Sequence, residues 1–278
     1  MCQNPSIYES RILAFVDILG FQNMIQQSTF DYKEQQRILD AMNIIHSYKT
    51  LNDNGLNGGG LKEHGIQITT FSDSAIISYP IDFEGGLFHV LLDLIHMQID
   101  LSSLGIFIRG GISIGLAYHD EYNAFGPAMN EAYRLESTKA ESPRIILTSQ
   151  TLYDGIKASE SLQNPYDISL LESLIRQDKA DGFYYLDYLR QYQELDYPEF
   201  DYYLWLNTIR DYLVQNLNSY HSDEKIYPKY RWMLEYWNDV LNSPGLSIPV
   251  EEETSADERK RIRENYSRLV VKPEYPYQ

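Results

Sequence analysis

The sequence has one cysteine and few basic residues. Because Cys2 has no second cysteine to pair with, an intramolecular disulfide is impossible, and a cysteine-based zinc site is not expected. The chain has 23 lysines and arginines against 40 aspartates and glutamates, which gives a formal net charge of −17. This balance argues against a dedicated nucleic-acid-binding protein, which normally carries a basic face. A nucleotide ligand is compatible with the charge because divalent cations can lie between acidic side chains and phosphates.

Long apolar runs and several familiar catalytic motifs are also absent. No stretch is long and apolar enough to span a bilayer, and the first residues lack the pattern of a secretory signal. We therefore expect a soluble, cytoplasmic protein without a membrane partner. The P-loop pattern G-x-x-x-x-G-K-[ST] does not occur, which excludes that class of nucleotide-binding enzyme, and there is no H-E-x-x-H pair of histidines.

What the sequence does contain is a short apolar strand with an aspartate near its end. Residues 11–18 predict a buried strand that carries Asp17, where a carboxylate is costly unless a cation meets it. Residues 66–72 and 74–79 predict a hairpin with Asp73 at its tip. Because neighbouring strands lie ~4.8 Å apart, the two carboxylates could share one or two Mg²⁺ ions. The alternative is that Asp17 caps a turn and Asp73 is an ordinary hairpin residue.

The order of the predicted elements indicates an α+β fold. Strands over 11–18, 66–72, 74–79, 106–118 and 143–147 alternate with helices over about 22–49, 83–104 and 127–139. This β-α-β-β-α-β-α-β order is typical of a ferredoxin-like core with additions. Beyond residue 149 the sequence favours helices, at about 201–218, 227–242 and 256–269, with one more strand near 182–187. We therefore predict a catalytic core over 1–150 and a mostly helical extension over 151–278 that packs on it.

A second candidate group lies on the predicted helix over 127–139. Asn130 and Arg134 are four residues apart and hence on one face of that helix. An amide beside a guanidinium can stabilise charge that develops on a phosphoryl group. On an isolated helix, an ion pair of Arg134 with Glu131 or Glu136 is the alternative. Arg109, on the preceding strand, either reaches phosphate or pairs with an acidic neighbour.

Taken together, these motifs resemble the class III nucleotidyl cyclases over residues 11–149. The motifs are F-x-D-I-x-G-F at 15–21, the strand-opening Asp73, R-G-G-I-x-x-G at 109–115 and F-G-x-x-x-N-x-x-x-R-x-E-S at 125–137. The resemblance implies that Asp17 and Asp73, helped by the backbone carbonyl of Ile18, bind two Mg²⁺ or Mn²⁺ ions. It also implies that Asn130 orients the ribose and that Arg134 stabilises the transition state. Members of the family work as head-to-tail homodimers, with the metal residues from one chain and the Asn/Arg pair from the other.

Three positions depart from the purine-specific members of that family. Ser72 replaces the glycine that usually precedes Asp73, and Thr69 replaces their base-reading lysine or glutamate. Asn123, seven positions before Asn130, replaces their base-reading aspartate or cysteine. A short threonine and an asparagine, which both donates and accepts hydrogen bonds, suit a smaller base. The other candidate nucleotide-binding residues are Tyr48, Gly20 and Phe21.

The chain looks most like the stand-alone bacterial cyclases of the Pycsar anti-phage systems. The F-V-D-I-L-G-F opening, F-S-D-S at 71–74 and the tyrosine-rich C-terminal part with K-Y-R-W at 229–232 carry this likeness. It implies that UTP, or CTP, is converted to 3′,5′-cyclic UMP or cyclic CMP and pyrophosphate, and that a separate effector protein reads the product. The alternatives are an adenylate or guanylate cyclase with an atypical base pocket and a catalytically inactive nucleotide-binding sensor.

Overall fold

The computed structural model of the chain describes residues 6–54, 61–161, 168–243, 246–251 and 253–271. Within these ranges eight strands form one mixed sheet. The strands are β1 (Glu9–Ile18), β2 (Gln67–Phe71), β3 (Ser74–Pro80), β4 (Ile108–His119), β5 (Ala124–Phe125), β6 (Ile145–Leu147), β7 (Ile175–Gln177) and β8 (Tyr184–Leu186). The α-helices are α1 (Phe21–Ser28), α2 (Tyr32–Asn54), α3 (Gly86–Ser103), α4 (Pro127–Thr138), α5 (Ser149–Glu160), α6 (Ile168–Ser173), α7 (Pro198–Ser219), α8 (Tyr227–Leu241) and α9 (Ala256–Ser267). In the described part of the chain, no helix combines the length and apolarity needed to cross a membrane.

The four long strands have the order of a ferredoxin-like core. Strand β1 is central and antiparallel to both β3 and β4, and β2 flanks β3. Along the sheet the order is β2-β3-β1-β4-β6-β8-β7, and β5 pairs with the end of β4. The order β2-β3-β1-β4, with helices between β1 and β2 and between β3 and β4, is that of the split βαβ motif. The predicted α+β class is therefore confirmed.

The two faces of β1 meet different layers because side chains alternate along a strand. The larger core, built with α2 and α3, takes up the side chains of Ile12, Ala14, Val16 and Ile18. On the opposite face, Leu13 packs in a small cluster with Ala128 and Ala132 of α4. We call these the α3 face and the α4 face of the sheet. Asp17, two positions beyond Phe15 and four beyond Leu13, lies on the α4 face.

The predicted helix over 22–49 is wrong in one respect, because it is two helices. The first ends at Ser28 and the second begins at Tyr32. Between them, the carboxylate of Asp31 accepts a hydrogen bond from the backbone amide of Lys33, and its carbonyl accepts one from Gln35. An aspartate in this position caps a new helix, so the chain turns before α2 starts.

The predicted hairpin with a turn at Ser72-Asp73 is confirmed. Phe71 of β2 pairs with Ser74 of β3, which leaves two residues in the turn. Ser72 has a φ of 52°, in the left-handed region where glycine has no steric penalty and other residues do. This conformation explains physically why a glycine would suit the position that serine occupies here.

Residues after 150 contribute to the same sheet and core as those before it. Strand β8, which the sequence predicted, pairs with β6, and the unpredicted β7 pairs with β8. From α7, Trp205 donates a hydrogen bond to Ser102 Oγ of α3 at 3.0 Å. From α8, Trp237 is fully buried. The division into a core over 1–150 and an extension over 151–278 stays a prediction.

Candidate active site

Asp17 and Asp73 come together at one end of the central strands. In the strand register Asp17 lies opposite Ser74 of β3 and Arg109 of β4. The backbone amide of Ile18 donates a hydrogen bond to the Asp73 carbonyl at 3.2 Å, which holds the hairpin turn against the end of β1. Ser74 Oγ donates to Asp17 Oδ1 at 2.9 Å. The local fold therefore brings the Asp17 and Asp73 carboxylates close enough to interact, and their role as metal ligands stays a prediction.

The environment of Asp17 disfavours its ionised form. Burial raises the pKa of Asp17 to about 6, and the neighbouring negative charge of Asp73 adds to the effect. A cation placed between the two carboxylates would remove this penalty. No group of three or more histidine, cysteine or acidic residues in the described ranges could hold a metal ion. Two carboxylates completed by other oxygen atoms are nevertheless a usual ligand set for Mg²⁺, so the residues present fit the predicted ion.

Arg109 and Glu136 lie beside this carboxylate pair. Arg109 Nη2 is 2.8 Å from Glu136 Oε1 and 3.7 Å from Asp17 Oδ2. Burial raises the pKa of Glu136, while the positive charge of Arg109 lowers it. Of the two alternatives for Arg109, the structure thus has the pairing with acidic neighbours. Its Nε is buried and has no hydrogen-bond partner among the described residues.

Asn130 and Arg134 both lie exposed on the outer side of α4. Arg134 Nε and Nη2 donate to the two carboxylate oxygens of Glu131 at 2.8 and 2.7 Å. Glu136, two residues further on, is buried beside Arg109. Two residues correspond to about 200° around a helix, so Arg134 points away from the side that meets Asp17. A single chain therefore brings the carboxylates together and leaves the Asn130–Arg134 pair elsewhere.

The two predicted base-contacting residues meet at a third residue, Asp120. Thr69 Oγ1 of β2 donates to the backbone carbonyl of Asp120 at 3.2 Å. Asn123, in the loop after β4, donates from Nδ2 to Asp120 Oδ1 at 3.2 Å. The hydroxyl of Tyr118 and the backbone amide of Tyr122 lower the pKa of Asp120 to about 2, so its carboxylate only accepts hydrogen bonds. Residues more than fifty positions apart in sequence thus form one polar cluster.

The other candidate nucleotide-binding residues have separate positions. Gly20 lies two residues after the end of β1 with a φ of 79°, and it turns the chain into α1 at Phe21, which packs against the larger core. The structure therefore keeps these two residues next to the Asp17 strand end. Tyr48 packs on the α3 face instead, where its hydroxyl donates to Asp100 Oδ2 at 2.8 Å. Burial raises the pKa of this hydroxyl, and the charge of Asp100 adds to the rise.

Sequence reasoning assigned no role to Lys229 of α8. Lys229 lines a small pocket of about 80 Å³ together with Leu19, Gly20, Asn23 and Phe107, directly after the Asp17 strand end. Burial lowers the pKa of Lys229, and the positive charge of Arg109 adds to this effect. A larger groove of about 600 Å³ lies between α2 and α7 and contains none of the predicted site residues. The K-Y-R-W segment was visible in the sequence, but its approach to β1 depends on tertiary packing.

No family model matches the chain, and no curated protein matches it. Among solved structures, the chain is similar to a class III adenylyl cyclase-like ATP-binding protein from Pseudomonas aeruginosa, at 16% sequence identity and a TM-score of 0.34. This match covers 62% of the present chain and 40% of that chain.

Proposed function

We propose that this protein is a nucleotidyl cyclase that converts UTP or CTP to the 3′,5′-cyclic monophosphate and pyrophosphate. The observation that carries the proposal is the paired placement of Asp17 and Asp73, held by the Ile18–Asp73 and Ser74–Asp17 hydrogen bonds. A domain with only a structural role gains nothing from two adjacent, partly buried carboxylates whose charges repel each other. Together with the four motifs at 15–21, 73, 109–115 and 125–137, this geometry favours metal-dependent phosphoryl chemistry.

Asp17, Asp73 and the carbonyl of Ile18 would hold two Mg²⁺ or Mn²⁺ ions in each active site. When bound, such an ion supplies positive charge that lowers the pKa of the ribose 3′ hydroxyl and neutralises phosphate oxygens. Arg109 keeps Glu136 paired at 2.8 Å, so the buried glutamate does not add an uncompensated charge to the site. Lys229 adds a cation beside the Gly20 turn, at a position suited to a phosphate group.

A second copy of the chain would supply Asn130 and Arg134. The ion pair of Arg134 with Glu131 is about half exposed, and such pairs contribute about 1 kcal/mol or less. Arg134 can therefore leave Glu131 for a phosphate of a nucleotide bound to the partner subunit. In this position its guanidinium stabilises the charge that develops on the phosphoryl group, and Asn130 orients the ribose. The active protein is accordingly a homodimer with its sites at the interface.

The cluster at Asp120 supports the proposed pyrimidine preference. Thr69 and Asn123 are small polar residues, both tied to Asp120. They offer neither the lysine and aspartate that match adenine nor the glutamate and cysteine that match guanine. By its likeness to the Pycsar cyclases, we extend the proposal to a second messenger in bacterial anti-phage defence, read by a separate effector protein.

The direct test is product formation from ATP, GTP, CTP and UTP, each assayed separately with Mn²⁺ and resolved by mass. We expect a cyclic pyrimidine monophosphate that is lost in Asp73→Asn and in Arg134→Ala, while Lys139→Ala at the end of α4 serves as the matched surface control. A cyclic purine product would overturn the base assignment and favour a purine cyclase. Binding of a triphosphate without any product would favour the inactive sensor.

Mixing the two inactive variants tests the shared site. In a mixed dimer of Asp73→Asn and Arg134→Ala subunits, one of the two sites has all its residues intact. Random exchange of subunits should therefore restore about a quarter of the wild-type activity. If the mixture stays as inactive as either variant alone, the two groups belong to the same chain and the dimeric site is refuted.

A further inference from the structure

A line of polar side chains crosses the α4 face of the sheet and ends at Thr69. Arg11 Nε donates to Ser78 Oγ at 2.8 Å, and Ser78 Oγ lies 2.7 Å from His119 Nδ1. His119 Nε2 lies 3.0 Å from Thr69 Oγ1. Ser78 is fully buried, Arg11 and His119 are 2% and 7% exposed, and Thr69 is only partly buried. The line therefore links the interior of the sheet to a residue that a ligand can reach.

The direction of each hydrogen bond follows from the chemistry of Arg11. A guanidinium can only donate, so Ser78 Oγ accepts from it. The Ser78 hydroxyl then donates to His119 Nδ1. With the opposite direction, the Ser78 hydrogen would lack an acceptor in a fully buried position, which is costly. His119 therefore carries its hydrogen on Nε2 and donates it to Thr69 Oγ1.

His119 stays neutral in this arrangement. Burial lowers the pKa of His119 to about 3, and the positive charge of Arg11 adds to the effect. The single ring hydrogen at neutral pH is therefore the one on Nε2. The Thr69 hydroxyl hydrogen goes to the Asp120 carbonyl, so both the hydrogen and one lone pair of Thr69 Oγ1 are already used. The second lone pair of Thr69 Oγ1 is left for a ligand, and it can only accept a hydrogen bond.

We infer that His119 is a positioning residue for base selection, because its hydrogen bond leaves Thr69 able only to accept a hydrogen bond from the base. This inference rests on the proposed function, since Thr69 selects a base only if the protein binds a nucleotide. Cytosine has an exocyclic amino donor where uracil has a carbonyl acceptor, and at the adjacent ring nitrogen the roles are reversed. An acceptor held in one place distinguishes the two bases, whereas a hydroxyl that is free to rotate does not.

The test is the ratio of kcat/KM for the preferred pyrimidine triphosphate, CTP or UTP, to kcat/KM for the other one. The preferred triphosphate is the one with the larger kcat/KM in the wild type. His119→Met removes the donor with little change in volume, while His119→Gln can still donate from its side-chain amide. We expect the ratio to fall about tenfold toward unity in His119→Met and in Thr69→Val, and to be largely kept in His119→Gln. If His119 acts through Thr69, adding His119→Met to Thr69→Val should change the ratio no further. An unchanged ratio in His119→Met, or additive effects in the double variant, would overturn the inference.

A readout without substrate separates this inference from the proposed function. In ¹⁵N-labelled protein, His119 should show the neutral tautomer protonated on Nε2, with no titration between pH 8 and pH 5. A proton on Nδ1, or titration near the ordinary histidine pKa, would refute the assigned directions of the hydrogen bonds from Arg11 to Thr69 even in an active cyclase. If this tautomer is observed but no triphosphate is turned over, the proposed function fails and the base-selection role fails with it. The assigned directions of the hydrogen bonds from Arg11 to Thr69 are then still correct.

Discussion

Gly111 controls how closely α4 approaches the sheet, and its replacement by alanine is a sharp test of that packing. An added Cβ would lie 2.4 Å from the Ala132 carbonyl oxygen and 2.5 Å from Leu135 Cβ. Ordinary contacts between such atoms are about 3.5–4.0 Å. The carbonyl belongs to the helix backbone, so relief requires α4 to move by about 1 Å, the difference between these distances. Overpacking of this kind costs about 1–3 kcal/mol.

Gly115 provides a matched control on the same strand and the same face. A Cβ at Gly115 would meet Ala128 Cβ at 3.7 Å, which is ordinary van der Waals contact. Both glycines have backbone angles outside the left-handed region, so both alanine variants gain the same unfolded-state benefit of about 0.4–1 kcal/mol. The difference between the two variants therefore isolates the overpacking.

We expect Gly111→Ala to be less stable than Gly115→Ala by about 1–3 kcal/mol, measured from urea unfolding midpoints at an unchanged m-value. Because α4 also carries Asn130 and Arg134, Gly111→Ala should lose the proposed cyclase activity under conditions where it remains folded. Equal stability of the two variants within about 0.5 kcal/mol would refute the close approach of α4 to β4.

Three further predictions concern acid stability, phosphate binding and a buried ion pair. Since the folded pKa of His119 is about 3 and the unfolded one is about 6.5, its contribution to stability is complete above pH 6.5 and is lost as the pH falls toward 3. Between pH 7 and pH 5, wild type should lose about 2 kcal/mol more than His119→Gln in urea unfolding. Lys229→Met should raise the KM for the triphosphate about tenfold or more, and a KM equal to that of the exposed control Lys225→Met would contradict the phosphate role. Arg144→Met should cost about 1.5–3 kcal/mol, because the buried Arg144 guanidinium pairs with the partly buried Asp178 and the exposed Asp181; Arg231→Met, which breaks an exposed pair, should cost about 1 kcal/mol or less by thermal unfolding.

The four long strands and their order along the chain could be predicted because the signal is local. Alternation along β1 and β3 and the two-residue turn at Ser72-Asp73 are visible in neighbouring residues. The same kind of signal places Asn130 and Arg134 on one face of α4. The break between α1 and α2 was missed because the capping role of Asp31 depends on the helix that follows it. Strand β7 was missed because three residues carry too little periodicity to be recognised.

Much of the candidate site depends on contacts between distant positions, which one sequence does not encode locally. The Arg109–Glu136 pair joins β4 to α4, and Lys229 reaches the Asp17 strand end from α8. The tautomer that we assign to His119 depends on Arg11, which lies more than one hundred residues earlier in the sequence. These contacts appear only once the sheet brings the elements together.

The outward position of Arg134 has a consequence for how the protein would respond to its own abundance. An enzyme whose every active site needs two copies works only as fast as the copies find each other. Below the dissociation constant of the dimer, the rate of product formation rises with the square of the protein concentration. In the proposed homodimer, a doubling of expression would then quadruple output, so synthesis of the chain would itself amplify the response.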